Sequence, residues 1–196
     1  MNYLKTILAL VILTTSVYSC GDKETLPKPK AYLRLEYPTP EYTDIATELP
    51  FTFKMNTIAN YKVTSKPFND KTVSGLDINY PSLKGTVYLT YRDVTKNDLR
   101  SLLLDAQNIT QSHTIKADEI TSNLYENTEH RAFGMFYEVS GNAASQSQFY
   151  VTDSTNHFLN GSLYFYAKPN YDSILPAADY LKNDIKKIME SVRWKK

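Results

Sequence analysis

One cysteine, one tryptophan, three histidines and six glycines are spread thinly along this 196-residue chain, and each scarcity closes off a chemistry. Cys20 has no second cysteine to pair with, so no disulfide forms within the chain. His113, His130 and His157 stand in no metal-ligand spacing, and a zinc site needs three or four convergent ligands. The nearest approach to a ligand cluster is His113 with Asp118 and Glu119, a pattern more often made by a histidine near the last carbonyls of a helix. Neither a glycine-rich phosphate loop nor a Gly-x-Ser-x-Gly elbow occurs. Asp153, Ser154 and His157 lie close together but read as a hairpin turn. The sequence therefore assigns no catalytic, cofactor-binding or metal residue, and an enzyme is the disfavoured class. A hydrolase would need acid and base groups that meet in space without being neighbours in sequence.

Excess charge is missing too, with 22 basic against 21 acidic side chains. Lys5 is the only charged residue among the first 19, so the remainder is formally neutral, with 21 of each sign. A nucleic-acid partner is disfavoured on that ground, because its footprint is a basic surface. Long apolar runs are also lacking. The N-terminal run, Ile7 to Leu13, has seven residues, far short of the roughly 20 that cross a bilayer.

What is present begins with that run. Preceded by Lys5 and followed by Thr14, Thr15 and Ser16, it has the layout of a secretory signal peptide. Val17, Tyr18, Ser19 and Cys20 then have the spacing of a lipoprotein processing site, Tyr18 being a poor fit to the strict consensus. Residues 1–19 are thus read as the leader and Cys20 as the lipidated residue. Residues 20–30, with Pro27, Lys28, Pro29 and Lys30, bury nothing and form a linker, ten residues of which reach about 33 Å. Several acyl chains on one cysteine make a stable anchor, whereas one chain holds only marginally. Gly21 follows the cysteine where an aspartate marks inner-membrane retention in some bacteria. The expected location is the cell envelope, on the periplasmic face of the outer membrane.

Residues 31–196 have the size of a single globular domain. The 16 tyrosines favour strands and half-buried faces. Alternation predicts strands over Tyr32–Tyr37, Phe51–Phe53, Tyr61–Thr64, Leu76–Tyr80 and Gly85–Arg92, with Pro50, Pro67 and Gly75 as separators. Thr95 and Asp98 have capping-box spacing ahead of Leu99, Leu102, Leu103, Ala106 and Ile109, which recur at helical intervals. Strands follow near Thr121–Glu126, Arg131–Ser140, Gln146–Asp153 and His157–Ala167, joined by polar hairpin turns. A last helix opens at Asp172 or Ser173 and carries Ile174, Ala178, Leu181, Ile185, Ile188 and Val192 as one apolar stripe, with Asp184 among its polar residues and Trp194 plugging its end. The class is α+β: an antiparallel β-sheet flanked by helices, closed by a C-terminal amphipathic helix, a Mog1/PsbP-like sandwich by analogy.

Pro27 to Arg34, then Glu36, Tyr37 and Pro38, together with His113 to Ala117, Gly141 to Ser145 and the stretch from His157 to Trp194, resemble the gliding motility lipoprotein GldD family of the Bacteroidetes. The resemblance runs over essentially the whole mature chain. It implies a membrane-anchored structural or assembly component required for gliding, whose partners are other envelope proteins of the gliding and type IX secretion machinery. It carries over no catalytic residue and no cofactor, and Cys20 alone transfers as a functional position. Exported proteins of that phylum are O-glycosylated at Asp-Ser/Thr triplets closed by an apolar residue or threonine, which implies Ser154 and Ser173 as acceptors. The expected contact surface is the aromatic sheet face that helices leave uncovered. The alternative is an envelope lipoprotein that holds a small glycan or lipid ligand in a tyrosine-lined concavity.

Replacing Cys20 by serine is expected to abolish incorporation of a labelled fatty acid and to move the chain from the detergent phase to the aqueous phase on phase separation of native cells. Retained labelling would contradict the reading of Cys20.

Overall fold

Alternation along Gly85–Asp93 puts Val87, Leu89 and Tyr91 on one side of a strand and Thr86, Tyr88 and Thr90 on the other, and the fold is organised around that two-sidedness. The computed structural model describes residues 35–68, 71–96, 98–166 and 170–195. The expected leader, Cys20 and linker lie outside these residues. So do Tyr32 to Arg34 of the expected first strand, whose described remainder, Leu35 to Tyr37, is not strand. The elements in chain order are β1 (Tyr42–Ala46), β2 (Phe51–Asn56), β3 (Asn60–Phe68), β4 (Lys71–Tyr80), β5 (Gly85–Asp93), α1 (Leu99–Gln111), β6 (Ala117–Asn127), β7 (Ala132–Gly141), β8 (Ser147–Thr152), β9 (His157–Phe165), α2 (Tyr171–Glu190) and β10 (Arg193–Trp194).

Two antiparallel sheets result: a seven-stranded one ordered β3-β4-β5-β9-β8-β7-β6 and a three-stranded one ordered β1-β2-β10. Hairpins join β6 to β7, β7 to β8 and β8 to β9, the last two at the polar turns expected from the sequence, whereas β5 finds β9 across a long connection, with Gly85 opposite Phe165. Pro67 and Gly75, expected between strands, lie inside β3 and β4. Proline is tolerated in β3 because that strand is an edge, where a missing amide donor breaks no inner ladder.

Leu76, Ile78, Leu89, Leu159 and Leu163 point to one face of the large sheet and pack with Leu181, Ile185 and Ile188 of α2 and with Phe51 and Phe53 of β2. Each such side chain, fully buried, contributes about 1.5–3 kcal/mol. Phe158, one residue from Leu159, points the other way and packs with Leu102 and Ala106 of α1. Helices therefore lie on both faces of the large sheet, and the fold is α+β.

The helices differ from the sequence reading in instructive ways. Asp98 is itself the N-cap of α1, accepting from the amides of Arg100 at 3.4 Å and Ser101 at 3.1 Å, while Thr95 sits in the preceding turn with its amide on Asp93 at 2.9 Å. Thr110 replaces Ile109 on the buried face of α1, its hydroxyl donating to Gln148 Oε1 at 2.8 Å, and Ile109 stays 41% exposed.

Asp184 is the larger departure. Expected on the solvated side of α2, it is fully buried: Oδ1 accepts from the Tyr42 hydroxyl at 2.7 Å and Oδ2 from Asn56 Nδ2 at 2.8 Å. Asn56 in turn accepts the Ile58 amide at 3.2 Å, so its orientation is fixed. Burial pushes the Asp184 carboxyl above the usual carboxylate range, and the Tyr42 and Asn56 bonds oppose that without cancelling it.

Replacing Asp184 by alanine removes the acceptor of the Tyr42 hydroxyl and of one Asn56 N–H, the Asn56 bond to the Tyr180 hydroxyl at 3.1 Å remaining, and is expected to cost about 2–4 kcal/mol in urea unfolding. Because its folded pKa is raised, the Asp184 contribution is fully present below the unfolded value of about 4 and declines as pH rises through the folded one. That declining component is expected to vanish from the stability profile of the variant.

Candidate functional site

The face of the large sheet that carries α1 is only partly covered. Phe158 lies beneath α1, whereas the other end of the β5–β9 pair on the same face carries Thr86, Tyr88 and Tyr164, with Asp77 and Asn79 alongside on β4. Register explains the grouping: Thr86 stands opposite Tyr164 and Asn79, and Tyr88 opposite Asp77. Tyr166, just past β9, bends back over them and is 66% exposed.

The tyrosines form one hydrogen-bonded unit. The Tyr88 and Tyr166 hydroxyls are 3.1 Å apart, and Thr86 Oγ1 lies 3.1 Å from the Tyr166 hydroxyl and 3.3 Å from Asn79 Oδ1. Tyr88 and Tyr164 meet edge to face at 5.9 Å. The bond to Tyr166, then burial and nearby Asp77, push the Tyr88 hydroxyl up to about 12, while bonds from Thr86 and Tyr88 lower that of Tyr166. Either hydroxyl of the Tyr88–Tyr166 pair can be the donor. Tyr166, the most exposed of the three tyrosines, presents a hydroxyl and aromatic surface outward. This platform is legible in the sequence, because alternation over Gly85–Arg92 and His157–Ala167 puts Thr86 with Tyr88 and Tyr164 with Tyr166.

A second feature gathers residues that the sequence kept apart. An open cavity of about 450 Å³ lies where the β6–β7 turn, the β8–β9 turn and β10 meet, and Arg131, Asp153, His157 and Trp194 are among its walls. Asp153 closes the β8–β9 turn. Its carboxylate accepts from the amides of Thr155 (3.0 Å), Asn156 (2.8 Å) and His157 (2.8 Å) and from the Thr155 hydroxyl (3.0 Å). Burial alone would raise its pKa, but these donors outweigh burial and hold it below the usual range. His157 Nδ1 lies 2.7 Å from the Tyr91 hydroxyl, and its ring stacks on Trp194 at 5.0 Å. Burial, then the charges of Asp93 and Asp153, push Tyr91 up to about 12. Trp194 does more than plug the helix end: it zips onto β2 opposite Phe51 and donates from Nε1 to the Arg131 carbonyl at 3.1 Å.

The remaining expected positions are dispersed. Ser154 is exposed at the tip of the β8–β9 turn with φ +69°, and the carboxylate of Asp153 before it is committed to the turn. Ser173 is exposed in the first turn of α2, its hydroxyl on the Asn170 carbonyl at 2.8 Å. His113 follows α1 in a short 3-10 turn, where burial lowers its pKa. His130 lies 3.8 Å from Glu129. Among the described residues no three His, Asp or Glu side chains group as metal ligands, and no helix is long and apolar enough to cross a membrane. The residues that sequence reasoning missed are Arg131, Arg193 and Lys195, which converge only through tertiary structure and leave no local pattern.

A family model described as gliding motility lipoprotein GldD matches residues 22–194. No curated protein and no solved structure matches the chain.

Replacing Asp153 by alanine is expected to lower stability by about 2–3 kcal/mol in thermal or urea unfolding, since the turn amides lose their acceptor. The Asp153 contribution has the opposite pH sign to that of Asp184. It is present above the unfolded pKa of about 4 and is lost as pH falls through the lower folded value.

Proposed function

The chain belongs to the gliding motility lipoprotein GldD family, and from that premise we propose that it is a structural or assembly component of the gliding and type IX secretion machinery, working through protein contacts rather than catalysis. Its anchor is the lipid on Cys20, and its place is the periplasmic face of the outer membrane. The family match carries the motility role, and the Tyr88–Tyr164–Tyr166 platform, half-buried at Tyr88 and Tyr164 and exposed at Tyr166, supports contact as the mode of action. Tyrosine suits such a surface because a rigid amphipathic ring offers contact area at small entropic cost. Confinement to one membrane surface raises the effective concentration of domain and partner, so individually weak contacts hold an assembly together.

The second reading, an envelope lipoprotein that takes a small glycan or lipid ligand, is favoured by the cavity beside Trp194. Both readings leave Ser154 and Ser173 as exposed acceptors for O-linked glycan, and the intact mass of native protein tests that assignment.

Alanine at Tyr88 and Tyr166 together is expected to abolish or sharply reduce spreading of native cells on agar while the protein remains lipidated, present at normal level and folded. Tyr166 is largely exposed, and surface substitutions of that kind usually change stability by less than about 0.5 kcal/mol. Normal motility in a strain carrying both changes would count against the platform as the contact surface.

A further inference from the structure

The cavity holds more positive charge than its turns require. Its walls bring Arg131 from the β6–β7 turn together with Arg193 and Lys195 from the C-terminal segment. Each of the three is held by uncharged oxygens. Arg131 Nη2 donates to the Asp153 carbonyl at 3.2 Å and lies 3.4 Å from Thr155 Oγ1. Arg193 Nη1 donates to the carbonyls of Glu190 at 3.1 Å and Val192 at 2.7 Å, and Lys195 Nζ donates to the Thr47 carbonyl. Among the described residues none of the three forms an ion pair.

Two acids, Asp153 and Glu129, share the walls, so three cations against two carboxylates leave a formal excess of one positive charge, and neither acid pairs with the three cations. Asp153 is turned into its own hairpin, where backbone amides and Thr155 take its oxygens, and Glu129 faces His130. What remains is a rim with three fixed cations, each with donors to spare: a guanidinium has five N–H groups and an ammonium three. Carbonyl bonds orient these side chains without neutralising them, the arrangement that suits capture of an anion from solution.

Two further observations point the same way. Arg131 sits at φ +48°, in the left-handed region that glycine adopts freely and an arginine does not. The wall behind it is also braced: the Trp194 indole holds the Arg131 carbonyl and stacks on His157, and His157 meets the Tyr91 hydroxyl. A strained residue on a braced wall, bordering a cavity of about 450 Å³, has the makings of a preorganised site.

We propose that this cavity binds a phosphoryl group carried on a small polar body of sugar size. The charge seats among Arg131, Arg193 and Lys195, and the body lies toward Trp194. Three side chains without an acid partner offer more N–H donors than a carboxylate needs, for which one guanidinium fork suffices, and match the several oxygens of a phosphoryl group. The assignment deepens the ligand-binding reading above and is independent of the tyrosine platform.

Trp194 is the only tryptophan in the chain, so its fluorescence reports the cavity directly. The full chain in detergent is titrated with glucose 1-phosphate and, at matched ionic strength, with glucose. A saturable change with the phosphorylated sugar alone is expected. Arg131→Gly, a change that suits the backbone and leaves the unfolding temperature unimpaired, is expected to weaken it at least about tenfold, and Lys195→Gln to weaken it further. Silence toward glucose 1-phosphate, or unchanged affinity in folded Arg131→Gly, overturns the proposal. An equal response to glucose also overturns the phosphoryl assignment while leaving a glycan-binding role standing. Where the phosphoryl site is upheld, sedimentation of Cys20→Ser protein with phosphatidylcholine vesicles, with and without phosphatidate, identifies its source. Capture that depends on phosphatidate assigns a lipid headgroup, and absence of capture assigns a soluble phosphosugar.

Discussion

A buried carboxylate on α2 decides where the end of the chain goes. Asp184 draws a hydroxyl from β1 and an amide from β2, so α2 is tied to the small sheet at a specific rotation as well as pressed on the large one by Leu181, Ile185 and Ile188. Apolar packing alone would tolerate some sliding of a helix over a sheet, whereas two directional bonds to one carboxylate do not. Ser191 Oγ then accepts the Lys54 amide at 2.8 Å, the chain enters β10, and Trp194 reaches its place opposite Phe51. The cavity at the C-terminal segment therefore inherits its geometry from a polar contact deep in the core.

The central fold was legible because its signals are local. The two-residue period of β5, β7 and β9 and the three-and-four period of α2 can be read within windows of ten or so residues, and burial follows them. The tyrosine platform followed from the same alternation. The rest was hidden for identifiable reasons. β1 shows one buried residue in five, Ile45, so no periodicity marks it, and β10 is two residues long. Asp184 sits next to Ile185 and three residues after Leu181, inside the buried arc of α2, but a polar side chain there is counted as solvated until its partners are known. The partners are far away in sequence, and so are the turns that build the cavity.

β9 links the two surfaces. His157, at its start, borders the cavity, and Tyr164, near its end, belongs to the platform. At about 3.3 Å per residue the two lie roughly 23 Å apart along one strand of the large sheet. A protein contact at one end and a small ligand at the other would occupy different parts of a shared rigid element without competing for space.

The place of β9 in the sheet bears on biogenesis as well. It lies between β5 and β8, yet it is among the last strands in the chain, with only α2 and β10 after it. A ribosome must therefore deliver most of the polypeptide before the middle of the large sheet can zip up, and pairings across such sequence separations form slowly. The large sheet is therefore complete only when nearly the whole chain is available, and its central seam closes last in the order of synthesis.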